Sequence, residues 1–256
     1  MPHAVTIVLL TVAGLAVGSF LNVCIYRIPR GESLAWPPSR CPACGTAIKW
    51  RDNVPVLGYL ALGGQCRACR GRISPVYPIV EAATAAVFVL QYLHLGWAPL
   101  LAVRLAFSCA MIVLFVIDLR HKILPNAITV PGIAVGLVSS WFLPPGWSAA
   151  LIGAAGGALL LWGIAYAYYR IREEEGLGMG DVKMLAMIGA FLGWKLMLLT
   201  IVLASLAGSV IGVTIVLARR GSMKYALPFG TFLAVGAIAA LLAGDGIVEW
   251  YLGLYP

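Results

Sequence analysis

The stretch PLLAVRLAFSCAMIVLFVIDLRHK, residues 99–122, decides the fold class of this chain. Residues 99–117 carry a single charge, on Arg104, and the charged residues Asp118, Arg120 and Lys122 follow directly. At 1.5 Å per residue, a helix over these apolar positions covers about 28 Å, close to the roughly 30 Å hydrocarbon core of a bilayer. We therefore predict a transmembrane helix that ends at a charged membrane boundary.

The same pattern recurs along the chain. Of its 256 residues, 61% are hydrophobic and 11% are charged, against roughly 25% charged in a soluble domain. The apolar runs lack the alternation of barrel strands, so we predict an all-α, polytopic integral membrane protein with about eight transmembrane helices. A hairpin near Gly193-Trp194 would join the short sixth span to the seventh, and seven spans are the alternative count. The predicted spans are about 4–26, 79–95, 99–117, 127–143, 149–169, 182–193, 196–218 and 227–243.

The basic residues predict the orientation. With eight spans, 16 of the 18 Lys and Arg residues fall on one side of the membrane. By the positive-inside rule that side is cytoplasmic, and both termini face outward. The net charge of +8 therefore mostly reflects the basic residues that set the orientation in the membrane, and we infer no nucleic-acid partner from it. These residues are Arg27, Arg30, Arg40, Lys49, Arg51, Arg67, Arg70, Arg72, Arg120, Lys122, Arg170, Arg172, Lys183, Arg219, Arg220 and Lys224.

The predicted cytoplasmic loop contains two Cys-X-X-Cys pairs. CPAC occupies residues 41–44 and CRAC residues 66–69. Two such pairs supply four thiolates for one tetrahedral metal ion, which predicts a structural zinc site on Cys41, Cys44, Cys66 and Cys69. Two disulfides or free thiols are the alternative, which a reducing cytoplasm disfavours. Four sulfur ligands leave zinc no open position for water, so we expect it to fold the loop rather than catalyse.

Two aspartates are predicted to lie at the cytoplasmic membrane boundary. Asp118 ends the third span and Asp181 begins the sixth, in GMGDVKMLAMIG, residues 178–189. Two facing carboxylates at the edge of a low-dielectric region can share one proton, as in aspartic peptidases. The ionised acid then takes a proton from water while the neutral acid hydrogen-bonds the scissile carbonyl. Gly178 and Gly180 would permit a tight turn and close approach of a substrate strand.

Other interpretations of the two acids remain open from sequence physics alone. Asp181 could be the N-cap of the next helix. Asp118 could pair with Arg120 or Lys122 at the interface. Both acids could also line a proton or ion path, which makes a proton- or ion-coupled transporter the alternative function. A zinc-knuckle adaptor anchored in the membrane is a third possibility.

The chain resembles the type IV prepilin peptidases. The resemblance runs from residue 14 to about 240 and is carried, in family order, by six blocks. It implies a membrane-embedded aspartic peptidase of the GxGD type, with catalytic Asp118 and Asp181, motif glycines Gly178 and Gly180, and the four cysteines as the zinc set. The blocks are GSFLNVCIYRIPRGES (18–33), the CPAC and CRAC pairs, ISPVYPIVEAATA (73–85), DLRHKILPNAITVPG (118–132), GMGDVKMLAMIGAFLGW (178–194) and ALPFGTFLAVGA (226–237).

Three further residues are candidates for substrate binding. Lys122 and Lys183 lie close in sequence to the two aspartates and could hold a substrate carboxylate, or they could be snorkelling anchors. Glu81 is an acid that enters the second span, which favours a function, and an interfacial pair with Arg72 is the alternative. Gly230 is interpreted as part of a kink that starts the eighth span.

The resemblance also implies an activity and a domain organisation. The substrates that it implies are type IV prepilins or pseudopilins, whose basic leader would be removed after a glycine at the cytoplasmic face. Many members then methylate the new N-terminal residue with S-adenosylmethionine. We expect residues 1–26 to form the first transmembrane helix, 27–78 the cytoplasmic zinc loop, and 79–256 the transmembrane peptidase domain, in contact with membrane lipid.

Overall fold

The computed structural model describes residues 3–174, 176–218 and 228–254. All regular secondary structure in these ranges is helical, which confirms the all-α prediction, and two isolated β-bridges accompany it. The basic residues Arg219, Arg220 and Lys224, used to predict orientation, lie outside the described residues. The α-helices are α1 (His3–Arg27), α2 (Leu57–Ala61), α3 (Val76–Leu95), α4 (Pro99–His121), α5 (Asn126–Ser139), α6 (Trp147–Arg172), α7 (Met179–Ala218) and α8 (Phe229–Leu252), with 3-10 turns at Ile28–Arg30 and Trp50–Asn53.

Within the described ranges, six helices are long and apolar enough to cross a membrane: α1 with the turn that follows it, α3, α4, α6, α7 and α8. The membrane-protein prediction therefore holds, but the count of eight spans is not confirmed. Helix α5 has 14 residues and covers only about 21 Å. It ends at Ser139, before the predicted residue 143, and the turn that follows leads into Pro144 and Pro145, which disfavour a helix.

Helix α7 consists of two helical segments that meet at Gly193. Its 40 residues would extend about 60 Å if straight, yet both halves reach the first turn of α8. Asp181 contacts Gly230 there, and Gly208 lies against Phe232. The chain therefore reverses at Gly193, where φ is 74° and ψ is 174°, a conformation that glycine adopts without strain. This geometry agrees with the hairpin expected at Gly193-Trp194.

The chain divides into two compact units, Met1–Trp97 and Ala98–Pro256. In the first unit, α1 packs antiparallel to α3 through two glycines. A Cβ on Gly14 would lie 2.5 Å from Cα of Ala85, and one on Gly18 would lie 2.6 Å from Cα of Glu81. Small residues four apart allow this backbone contact between membrane helices. The functional division into three domains stays a prediction.

The second unit has a core made by α4, α7 and α8, with Leu114, Met184 and Leu233 fully buried. Helix α6 packs on α7 through glycines: a Cβ on Gly153 would lie 2.5 Å from the carbonyl oxygen of Gly189. In lipid, such van der Waals contact drives helix association because apolar burial contributes little. This close packing holds α6 against the first segment of α7, the segment that carries Asp181.

We expect Gly153→Ala to destabilise the second unit by about 1–3 kcal/mol, because the added methyl group overlaps the backbone of α7. Gly163→Ala in the same helix is the matched control, since no atom lies within 4 Å of the Cβ it would add. Thermal unfolding in detergent should show a lower midpoint for Gly153→Ala alone. Equal midpoints for the two variants would contradict the tight α6–α7 contact.

Candidate active site and metal centre

Asp118 lies in the last turn of α4 and is 5% exposed. The helix ends at Lys122, whose φ of 54° and ψ of 39° are left-handed and whose N–H donates to the Asp118 carbonyl at 2.8 Å. The side chain of Asp118 is held by Thr231, which is 113 positions away in sequence. Oδ2 accepts the Thr231 N–H at 2.6 Å and the Thr231 hydroxyl at 3.1 Å. A buried carboxylate is thus fixed by two donors from another helix.

Asp181 is the third residue of α7, so it is not the N-cap, and that alternative is wrong. Gly178 occupies the cap position, and the Asp181 carboxylate reaches back to its backbone amide. This is one half of a capping box, in which an acid at the third helical position accepts the N–H of the cap residue; Gly178 has no side chain to return the bond. Asp181 therefore does stabilise the helix start, and its carboxylate is oriented by doing so.

The first turn of α8 brings the two aspartates together. The backbone of Gly230 hydrogen-bonds the Asp181 carboxylate, and the next residue, Thr231, donates its N–H to Asp118. The first N–H groups of a helix have no partner within it, so they are available to anions. The two carboxylates also interact electrostatically with each other. The two acids therefore lie beside the same turn of α8 and within electrostatic range of each other, while their pairing as a catalytic dyad stays a prediction.

Glycines beside the aspartates accommodate Leu124, which follows α4. A Cβ on Gly180 would lie 2.9 Å from Cβ of Leu124, and one on Gly230 would lie 2.8 Å from Leu124 Cδ1 and 2.9 Å from Oδ2 of Asp118. Neither Gly178 nor Gly180 has a positive φ. The expected tight turn is therefore not the reason for glycine at position 180; close packing of Leu124 is.

The two lysines take different positions around this site. Lys122 forms the left-handed end of α4, as described above. Lys183 donates from Nζ to Oδ1 of Asn126 at 2.9 Å, which ties the start of α7 to the start of α5. Its proposed contact with substrate stays a prediction.

Glu81 belongs to the first unit and is 7% exposed. Its Oε2 accepts the N–H of Val56 at 2.7 Å, and among the described residues no ion pair joins it to Arg72. Val56 has a φ of 60°, a rare conformation for a β-branched residue. The buried acid therefore stabilises a strained turn in the loop, and its role in substrate binding stays a prediction.

The four cysteines of the loop form one cluster in the first unit. Their sulfur atoms all lie within 4.8 Å of one another, and Sγ of Cys41 and Sγ of Cys69 are 3.9 Å apart. All four are free thiols, so the disulfide alternative is not realised. Tetrahedral zinc with bonds of about 2.3 Å places its sulfur ligands about 3.8 Å apart. The cluster fits a zinc ion.

The two Cys-X-X-Cys pairs have equivalent backbone hydrogen bonds. Cys41 donates to the carbonyl of Thr46 at 2.9 Å, and Cys66 donates to that of Gly71 at 2.8 Å. Hydrogen bonds with Thr46, through its hydroxyl and its backbone, lower the pKa of Cys44 to about 6. The backbone amides of Cys69 and Ala68 likewise lower the pKa of Cys66. Each turn therefore favours thiolate, the form that binds a metal, at one cysteine. At Cys69 the hydrogen bond from the Gly71 backbone lowers the pKa, but the neighbouring thiols, Cys44 above all, outweigh it and raise the pKa to about 11.

An ion pair supports the loop beside the cysteines. The Arg67 guanidinium contacts Oδ1 of Asp52 at 2.7 Å through Nη2, and its Nε donates to Oδ2 at 2.9 Å. This fork-shaped contact holds the pKa of Asp52 below its usual value. It links the turn that carries Cys66 to the 3-10 turn at Trp50–Asn53.

Sequence comparisons bear on both sites. Residues 12–95 match the bacterial peptidase A24 N-terminal domain, and residues 105–213 match the type IV leader peptidase family. The prepilin leader peptidase/N-methyltransferase of Pseudomonas aeruginosa is 36% identical in an alignment that covers 98% of this chain and 95% of the relative. The chain belongs to the type IV leader peptidase family. No solved structure matches the chain.

Two other members of the family show the same extent of similarity. The enzyme of the same name from Pseudomonas putida is 37% identical over 96% of this chain and 94% of its own length. The enzyme of the same name from Aeromonas salmonicida is 36% identical in an alignment that covers 93% of this chain and 91% of the relative. The resemblance stated from the sequence is confirmed, the chain is a peptidase by family, and the transporter alternative is not supported.

The sequence did not reveal Thr231 as a partner of Asp118 or Leu124 as the residue between two glycines. Thr231 lies beyond residues 105–213 matched by the family. The sequence did contain one sign that this turn lies against another segment: Gly230 precedes Thr231 at the start of an apolar helix, and a glycine there permits close approach of another part of the chain.

Proposed function

We propose that this protein removes the basic leader of type IV prepilins or pseudopilins by aspartic peptidase chemistry at Asp118 and Asp181. The observation that supports the proposal is the first turn of α8, where Gly230 contacts the Asp181 carboxylate and Thr231 contacts that of Asp118. The names of the relatives supply the substrate class. Cleavage would follow a glycine and leave a hydrophobic helix with a new N-terminus.

The proposed mechanism uses the two acids in opposite protonation states. Two carboxylates that face each other at the edge of a low-dielectric region cannot both ionise cheaply, so in this mechanism the pair carries one proton. The ionised acid removes a proton from water, and the water attacks the scissile carbonyl, whose oxygen accepts a hydrogen bond from the protonated acid. The amine leaves with a proton from the pair. The buried position of Asp118 excludes bulk water and strengthens each of these interactions.

We place the reaction at the cytoplasmic face of the inner membrane. The basic residues predict that face for both aspartates, and each acid lies within one turn of the end of a helix long enough to span a bilayer. A substrate with a basic leader and an apolar helix would then present its scissile bond at the boundary between water and lipid.

We further propose a structural zinc ion on the four cysteines and a second activity, N-methylation. The cluster geometry supports the zinc ion. The printed names of the relatives support the methyltransferase, with S-adenosylmethionine as the methyl donor. When bound, the donor supplies a methyl group to the new amine; we assign it no residues.

One assay tests both activities. Purified enzyme in lipid is incubated with a prepilin, with and without S-adenosylmethionine, and the products are weighed by mass spectrometry. We expect the mass to fall by that of the leader in both reactions, and to rise by one methyl group, about 14 Da, only with the donor. An unshortened prepilin would overturn the peptidase proposal, and a shortened but unmethylated product would overturn the methyltransferase alone.

We expect Gly230→Ala to slow leader removal about tenfold or more, because its Cβ would lie 2.9 Å from Oδ2 of Asp118 and push the carboxylate out of place. Gly246→Ala in the same helix is the matched control, since its Cβ would have no neighbour within 4 Å. Both variants should insert and fold. Rates measured on the same prepilin decide the question, and equal rates would contradict the close approach at Gly230.

A further inference from the structure

The hydroxyl of Thr231 is used differently from those of other helical threonines in this protein. Thr84, Thr200 and Thr214 each donate to the carbonyl four residues earlier in their own helix, at 2.7 to 2.8 Å. Thr231 lies in the first turn of α8, where no helical carbonyl lies four residues earlier. Its hydroxyl is therefore available for another acceptor, and that acceptor is Asp118.

Both donors of Thr231 contact the same carboxylate oxygen. The N–H and the hydroxyl lie 2.6 Å and 3.1 Å from Oδ2 of Asp118. Both residues are buried, with 6% of Thr231 and 5% of Asp118 exposed, so water competes little for these bonds. Two donors in different directions fix the rotation of the carboxylate, since rotating it about its Cβ–Cγ bond would break both contacts.

We propose that Thr231 is a positioning residue for the peptidase reaction, which holds Oδ2 of Asp118 so that Oδ1 is the oxygen that faces the attacking water. This inference rests on the proposed function. A carboxylate that uses one oxygen for orientation and the other for proton transfer meets the requirement that catalytic groups be held by neighbours rather than free to rotate.

Conservative substitutions separate hydrogen bonding from packing. Thr231→Val keeps the shape and loses the hydroxyl, whereas Thr231→Ser keeps the hydroxyl and loses the methyl group. If the hydroxyl matters, Thr231→Val lowers kcat for leader removal about tenfold with KM within about twofold, because a bond to a charged group is lost while the amide bond remains. Thr231→Ser then stays within about twofold of the unsubstituted enzyme. If packing of the Thr231 methyl group mattered instead, Thr231→Ser would be the slower variant and Thr231→Val would keep its kcat.

Thr200→Val is the control, because Thr200 is fully buried and its hydroxyl bonds only within its own helix. We expect its kcat to stay within about twofold. Thr231→Ala, which also lacks the hydroxyl and suits a helix, replaces Thr231→Val if the latter does not fold. A hydroxyl-free, folded variant with unchanged kcat, or a Thr231→Ser variant as slow as Thr231→Val, overturns the inference. An unsubstituted enzyme that cleaves no prepilin would instead overturn the proposed function.

Discussion

Replacement of Asp118 or Asp181 by Asn should reduce leader removal roughly 10³-fold, the scale expected when a general acid or base is lost. Asn keeps the size of the side chain but can neither take a proton from water nor carry the shared proton. The carboxamide can still accept the N–H bonds that Gly230 and Thr231 donate. Each variant should therefore fold and insert while its kcat falls. Single-turnover cleavage of a prepilin in lipid, with thermal unfolding in parallel, measures both effects.

Two comparisons make this result specific to the pair. Asp245→Asn is the matched control, because Asp245 is exposed near the other end of α8, and its rate should be unchanged. The double variant Asp118→Asn/Asp181→Asn should be about as slow as either single variant, since residues that act as one unit are not additive. A single variant that still cleaves at more than about a tenth of the original rate would exclude the two-acid mechanism.

The sequence predicted the pairing of the two acids through topology rather than spacing. Asp118 and Asp181 are 63 positions apart, and only the positive-inside rule placed both at one membrane face. What it could not supply is the element that joins them. The first turn of α8 does so through backbone N–H groups, which every non-proline residue carries and which leave no trace in a sequence pattern.

The predicted end of the fourth span was wrong, whereas the predicted reversal at a glycine agrees with the structure. Hydropathy alone cannot separate α5, which ends at Ser139, from a full span, because the apolar run continues to Leu143. The reversal of α7 at Gly193 was foreseen because a glycine interrupts an apolar run too long for one crossing. The contact that Glu81 makes with the loop was not foreseen, because its partner is the backbone amide of Val56, 25 positions earlier.

The cysteine loop shows what the sequence could predict best. Spacing alone predicted that the four cysteines come together, because a Cys-X-X-Cys turn aims both sulfurs at one point, and the structure brings them into one cluster. The structure adds that the two turns repeat the same backbone bonds and that Thr46 favours the thiolate of Cys44. Such a loop has little apolar core, and in small metal-binding domains the free energy of metal binding, on the order of 10 kcal/mol, supplies the folding energy.

Cys66→Ser should therefore remove both the zinc ion and the ordered loop. Elemental analysis of protein purified without chelators should give about one zinc per chain, and below about one tenth in the variant, because serine is a poor ligand for zinc. Amide exchange should become fast across residues 39–73, where the bonds of Cys41 and Cys66 to Thr46 and Gly71 lie, while α1 and α3 stay protected. Cys109→Ser, outside the cluster in α4, should keep its zinc. A zinc-free but protected loop would mean that hydrogen bonds and the Arg67–Asp52 pair suffice to fold it, and that the cysteines serve another purpose.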